Sequence, residues 1–232
     1  MKMGMMVFLA AVMGGALFGV QAQAEDGAQA SRPVIAAQFE TRSIQLARRP
    51  QASRHRWHLL RSVRQVEVWN EGEAQRQRWQ RRANGVIDYS HLFLQPRKSV
   101  DYTAGDLRSL GRYPDWMQLR GVIDSAVLRQ LTPSGNVEVL GRQAERYLGQ
   151  VNGVDMEIWW LSDLELPALV RRVHGDREVS IHLLDLQTGG AASQSFVDTG
   201  SYDHLDYADL GDMEADPFVQ KLQLAEGGHR HH

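Results

Sequence analysis

The side chains with the clearest capacity for chemistry lie near the C-terminus, where carboxylates recur at every third position. Asp203, Asp206, Asp209 and Asp212 are followed by Glu214 and Asp216. Hard oxygen ligands gathered this way hold Ca²⁺ or a similar cation. A spacing of three is not that of an EF-hand loop, whose ligands occupy alternate positions and close on a glutamate at the twelfth. Leu205, Tyr207, Leu210, Met213 and Phe218 are interleaved with the acids, which equally fits a solvated acidic strip anchored by apolar side chains. His229, His231 and His232 close the sequence. Imidazoles take Zn²⁺, Ni²⁺ or Cu²⁺, but three on a flexible tail bind weakly and with little selectivity. A metal site and a chance run therefore stand side by side.

Signature motifs for catalysis are missing. The chain has no phosphate-binding glycine loop with its Lys-Ser/Thr, no dinucleotide fingerprint and no Gly-x-Ser-x-Gly elbow. Ser134 sits in Pro-Ser-Gly-Asn, which is turn chemistry. No cysteine is present, which excludes thiolate catalysis, disulfides and every Cys-based zinc or iron–sulfur site. The expectation is a protein without cofactor and not an enzyme. With 26 basic and 28 acidic residues the net charge is −2. That balance argues against a nucleic-acid partner, which calls for clustered positive charge. Arginines concentrate between Arg48 and Arg82, and aspartates between Asp198 and Asp216.

Positioning any of these groups requires a body, and the sequence patterns outline one. Ile35, Phe39 and Leu46 fall near one side of a helix over 34–46. Gln65 to Trp69 alternates as a strand does, Asn70-Glu71-Gly72 reads as a turn, and the polar run 74–83 carries Trp79 at its middle. Asn84-Gly85 is a hairpin signal, since both residues tolerate positive φ, and it leads into a strand over 86–94. Residues 99–103 make another short strand. Helical spacing follows over 104–110 and 116–131, where Trp116, Leu119, Ile123, Val127, Leu128 and Leu131 recur at three and four, with Asp106 and Asp115 placed to cap. Beyond a turn at Ser134-Gly135-Asn136, strands are expected over 137–142, 145–151, 154–161, 168–174 and 178–186. Asn152-Gly153, the stretch 163–167 and Gly175-Asp176 connect the last four, the meander of an antiparallel sheet. Met156, Ile158 and Trp160, and likewise Val179, Ile181 and Leu183, make one side apolar, so the sheet needs a cover.

The start of the chain has the order of a secretory leader. Lys2 precedes an uncharged, mostly apolar run from Met5 to Val20, and Ala22-Gln23-Ala24 gives the small-x-small site. Cleavage is expected after Ala24, placing the mature chain in the periplasm and not within a membrane, for the run falls short of the roughly 20 apolar residues of a spanning helix. The resulting organisation is a leader over 1–24, an N-terminal helix and linker over 25–53, a sheet with covering helices over 54–188, an acidic segment over 189–226 and a histidine tail over 227–232.

Val139-Leu140-Gly141-Arg142, Ala144-Glu145-Arg146-Tyr147-Leu148-Gly149, Asn152-Gly153-Val154, Met156-Glu157-Ile158-Trp159-Trp160-Leu161 and Leu166-Pro167-Ala168-Leu169 follow one another in an order that resembles the periplasmic lipoprotein-carrier and sigma-factor-regulator superfamily, the LolA/LolB/RseB-like fold. The resemblance implies an α+β fold: a curved antiparallel sheet, an incomplete β-barrel, covered by helices. It further implies an apolar hollow that accepts a lipid or the acyl chains of a lipoprotein. Trp79, Tyr89, Phe93, Trp116, Met156, Ile158, Trp160 and Ile181 are the candidate lining residues, taken from alternation. The leading expectation is a non-enzymatic binding protein of this kind. Its alternatives are metal handling by the aspartates and terminal histidines, and an envelope-stress module that binds a protein partner.

Overall fold

The computed structural model describes residues 34–46, 50–193 and 196–227. The expected leader and the terminal histidines His229, His231 and His232 lie outside the described residues.

Twelve strands form one open, curved sheet, an α+β half-barrel. In chain order they are β1 (Ile35–Gln45), β2 (Gln51–Arg61), β3 (Gln65–Asn70), β4 (Gln75–Arg81), β5 (Ile87–Phe93), β6 (Lys98–Tyr102), β7 (Thr132–Val139), β8 (Arg142–Val151), β9 (Val154–Leu161), β10 (Leu166–His174), β11 (Arg177–Thr188) and β12 (Asp203–Asp206). Their spatial order is β12-β6-β5-β4-β3-β2-β1-β11-β10-β9-β8-β7. Two meanders, β1 to β6 and β7 to β11, therefore meet at a central antiparallel seam between β1 and β11, where Ile35 faces Thr188 and Gln45 faces Arg177. Turn chemistry explains the meanders. Gly85, Asn152, Gly153 and Gly175 all adopt positive φ at the expected hairpin corners.

Between β6 and β7 the chain makes three short helices, α1 (Ala104–Ser109), α2 (Trp116–Gly121) and α3 (Ser125–Leu128). Thr103 and Asp106 close a reciprocal capping box on α1, and Asp115 and Asp124 cap α2 and α3 with their carboxylates. The continuous helix expected over 116–131 is broken at Val122, whose φ of 66° and ψ of −30° stop the first piece. A β-branched residue pays a steric cost in that region, and here burial of Val122 holds it.

The helix expected over 34–46 is strand β1. Ile35, Ala37 and Phe39 are buried on one side, while Leu46, counted toward a helical face, is exposed. Pairing with β2 on one side and β11 on the other outweighs the helix propensity of its alanines. Ser134-Gly135-Asn136, expected as a turn, lies within β7, where the register with β8 shifts.

After β11 the chain makes α4 (Gly190–Ser193) and reaches the far edge of the sheet, six strands away, where β12 adds to β6 in parallel. A 3₁₀ turn (Tyr207–Gly211) and helix α5 (Pro217–Gly227) complete the described chain.

Candidate functional site

One side of the sheet carries an almost unbroken apolar surface, because register places like residues opposite one another. Tyr102, Tyr89, Trp79 and Val66 line up across β6, β5, β4 and β3. Trp57, Phe39 and Leu183 do so across β2, β1 and β11. Ile181, Val170, Ile158 and Tyr147 continue the surface to β8. The short helices and C-terminal elements cover this side in three clusters. Trp116 of α2 joins Phe39, Trp57 and Val66; Leu107 of α1 and Val219 and Leu222 of α5 join Phe93 and Val100; Ile123 and Leu131 lie over Met156, Ile158, Trp160 and Val170.

The eight candidate lining residues are therefore all in or against the apolar layer, but they belong to different clusters. Trp79 packs against the first cluster and Trp116 is part of it; Phe93 is in the second, with Tyr89 against it; Met156, Ile158 and Trp160 are in the third; Ile181 borders the first and third. Aromatic contacts tie the second region together: Trp79 to Tyr89 at 5.1 Å between ring centroids, Tyr89 to Tyr102 at 5.2 Å and Tyr102 to Tyr207 at 4.4 Å. Ile123 and Leu131, on either side of α3, supply the buried part of the third cluster's cover. Helix α3 contains no buried residue and contributes only the partly buried Val127 and Leu128. Two open depressions at the surface mix charged and apolar lining, the second including Leu148 and Met156 beside its charged residues. One of about 420 Å³ is lined by residues such as Arg142, Glu145 and Asp163, and one of about 500 Å³ by residues such as Gln150, Glu157 and Arg171.

Polar groups that sequence patterns did not single out organise the cover. Arg61, at the inner end of β2, is buried and donates to the carbonyls of Arg120, Leu164 and Glu165, the last at 3.1 Å. Arg120, on the last turn of α2, donates in return to the carbonyls of Ser62 and Val63. These two guanidiniums fasten α2 to the β2–β3 corner and the β9–β10 corner. On the opposite side of the sheet, buried Glu67 accepts from Arg78 Nε at 2.8 Å and Arg76 Nη1 at 3.1 Å. Arg78 also donates to the Val197 carbonyl at 2.5 Å and to Thr199 Oγ1 at 3.1 Å, holding the segment that leads to β12. His91, on the covered side between Tyr89 and Phe93, has its pKa pushed down to about 4 by burial.

Asp203, Asp206, Asp209 and Asp212, the aspartates offered as cation ligands, lie along β12 and the 3₁₀ turn that follows it. Asp203 pairs with Lys98 at 2.7 Å, and Asp206 lies in β12 opposite Asp101. Among the described residues no three His, Asp or Glu side chains are grouped to hold a metal. Within a strand residues three apart point to opposite faces, which separates Asp203 from Asp206. Leu205 and Leu210 between them are buried, so the interleaved apolar residues are the anchors.

No protein-family model and no curated protein sequence matches the chain. Solved structures do resemble it. The complex of MucA and MucB from Pseudomonas aeruginosa is similar with a TM-score of 0.42 and 15% identity, covering 72% of this chain and 56% of that one. The LolA superfamily protein NE2245 from Nitrosomonas europaea gives a TM-score of 0.35 and 9% identity over 72% of this chain and 91% of its own. PNGF-II gives 0.40 and 11% over 78% and 32%. The chain thus spans about a third of PNGF-II and little more than half of the MucA/MucB chain it matches. All three likenesses are remote, at 15% identity or less.

Proposed function

We propose that the protein is a non-enzymatic binding protein of the bacterial envelope that receives an acyl chain, from a lipid or a lipoprotein, between its sheet and the segment over 122–131. The observation that carries this reading is the third cluster. Met156, Ile158, Val170 and Ile181 form a continuous apolar strip, and its lid is the short segment around α3, anchored by the buried Ile123 and Leu131 with the partly buried Val127 and Leu128 between them. An acyl chain replacing that cover gains about 0.8 kcal/mol per buried methylene, enough to hold a long chain without polar help. A periplasmic site of action fits the leader-like order of residues 2–24, from which that part of the proposal comes.

Native mass spectrometry of protein purified without detergent tests the proposal. Added mass in the acyl-lipid range, or uptake of a labelled fatty acyl chain, is the expected result. A bare protein that takes up no acyl chain under any condition overturns it.

A second reading has its own observation. Strand β7 is an edge of the sheet, and among the described residues no strand lies beside its outer backbone groups. An extended segment of an envelope protein adding to β7 would make the chain a protein-interaction module. A stoichiometric protein captured on the immobilised chain, lost when a proline replaces Asn136 or Glu138, whose N–H groups face away from β8, favours this reading over the first.

A further inference from the structure

Arg172 stands on the same side of the sheet as the apolar strip. Its register partners are Met156 on β9 and Val179 on β11, and Val170, two residues before it on β10, is buried in the third cluster. Strand neighbours two apart share a side, so the guanidinium sits at the rim of a surface made by Met156, Ile158, Val170 and Ile181. Arg171, one residue earlier, points the other way and meets Glu178 at 2.7 Å. Arg172 has no such partner: among the described residues no carboxylate or carbonyl accepts a hydrogen bond from it. It is nonetheless only partly exposed, and the loss of solvent around it pulls its pKa below the usual arginine value.

A guanidinium removed from water without a counter-ion is costly, and chains avoid it unless an anion arrives to meet it. Arginine presents a planar fork suited to phosphate or carboxylate. The adjoining strip supplies an apolar bed on the same side of the sheet. We infer that Arg172 is the anion-recognising group of the acyl site, so that the ligand is an anionic amphiphile whose chain lies along Ile158, Val170 and Ile181 and whose phosphate or carboxylate meets Arg172. The inference rests on the acyl-binding reading above and adds its specificity.

The test compares two single-chain lipids of equal acyl length, lysophosphatidylglycerol and lysophosphatidylcholine, titrated below their micelle thresholds into the purified full chain, Arg172→Gln and Arg172→Lys. The first lipid carries a net negative charge and the second is zwitterionic. The wild type is expected to prefer the anionic lipid by roughly ten-fold or more, the scale of a charge-assisted hydrogen bond. R172Q is expected to erase that preference while holding the zwitterionic lipid as before, and R172K to keep part of it. An unchanged thermal transition in R172Q excludes a folding defect, and is expected because no hydrogen bond or ion pair among the described residues is lost. Equal affinity for both lipids in wild type and R172Q overturns the role of Arg172 and leaves acyl binding standing. Binding of neither lipid overturns acyl binding and this inference together. Full displacement of the anionic lipid by inorganic phosphate alone overturns the amphiphile in favour of a free anion.

Discussion

Two arginines tie the cover to the sheet's corners through backbone carbonyls. Arg61 and Arg120 each satisfy carbonyls at chain corners that no ladder reaches. Replacing Arg61 with Met keeps much of the volume but leaves three carbonyls inside without donors. A loss of about 2–4 kcal/mol in unfolding free energy is expected, read from the urea midpoint at constant slope. A change under 0.5 kcal/mol would show that water replaces the guanidinium at no cost. His91 gives a pH signature of opposite origin. Its folded pKa, near 4, lies below the unfolded value of 6.5, so the unfolded chain binds the extra proton between the two. Stability is therefore expected to fall as pH drops from 6.5 to 4, by on the order of 2–3 kcal/mol, and His91→Gln is expected to flatten that slope. An equal slope in both proteins would reassign it to the carboxylates. Neither residue stood out in the sequence. Arg61 continues the alternation Trp57, Leu59, Arg61, and a charged residue at an inward position was the available signal; its partners, backbone carbonyls about 60 and 100 residues away, leave no trace in residue type.

At the scale of elements, β12 shows how a short parallel strand is retained. Four residues of ladder are reinforced by Lys98 on Asp203 at 2.7 Å and by His204, whose Nδ1 lies 2.7 Å from Asp101 and Nε2 3.2 Å from the Thr199 carbonyl. Both ring nitrogens face acceptors, which suits the protonated imidazole. The hydrogen bond to Asp101 raises the His204 pKa above 6.5. Burial alone would raise Asp101, but hydrogen bonds from Ser90, Ser99 and His204 outweigh it and hold the carboxyl below 3.8. The histidine's contribution is complete below 6.5 and lost as pH rises through its raised value. The aspartate's is complete above 3.8 and lost as pH falls through its lowered one. The melting temperature of His204→Gln is thus expected to trail the wild type most at about pH 5 and to converge with it at about pH 9. A constant gap across that range would mean that the ring's packing, not its charge, matters. The acidic strip announced itself as an unusual segment, but its destination did not. Only the pairing with β6, a hundred residues earlier in the chain, turns Asp203 to Asp206 into a strand. The same kind of distant partner explains β1, where Ala36 and Ala37 blur the alternation of Ile35, Ala37 and Phe39 and only two flanking strands decide the outcome. The corners at Asn84-Gly85, Asn152-Gly153 and Gly175-Asp176, by contrast, were legible because such residues act locally, whereas the corner at Leu140-Gly141 falls inside the strand expected over 137–142.

For the whole molecule, the segment beyond β11 is structural as well as terminal. Leu205, Leu210, Val219 and Leu222 complete the second cluster over Phe93, Val100 and Tyr102. A chain ending at Thr188 is expected to expose that cluster together with the β6 edge and to self-associate, visible as a mass above the monomer in light scattering. A monodisperse truncated monomer would show that the cluster closes without its C-terminal part. The seam at the centre of the sheet carries a different consequence. Strands β1 and β11 are middle neighbours in space, yet one ends at residue 45 and the other begins at residue 177. The first meander consequently waits with an open inner edge until nearly all of the chain is present. Contacts of such long sequence separation slow the search for the native state. Until the seam closes, every partly folded chain offers β1 to whatever strand reaches it first, so the seam is where chaperoning protects this chain most.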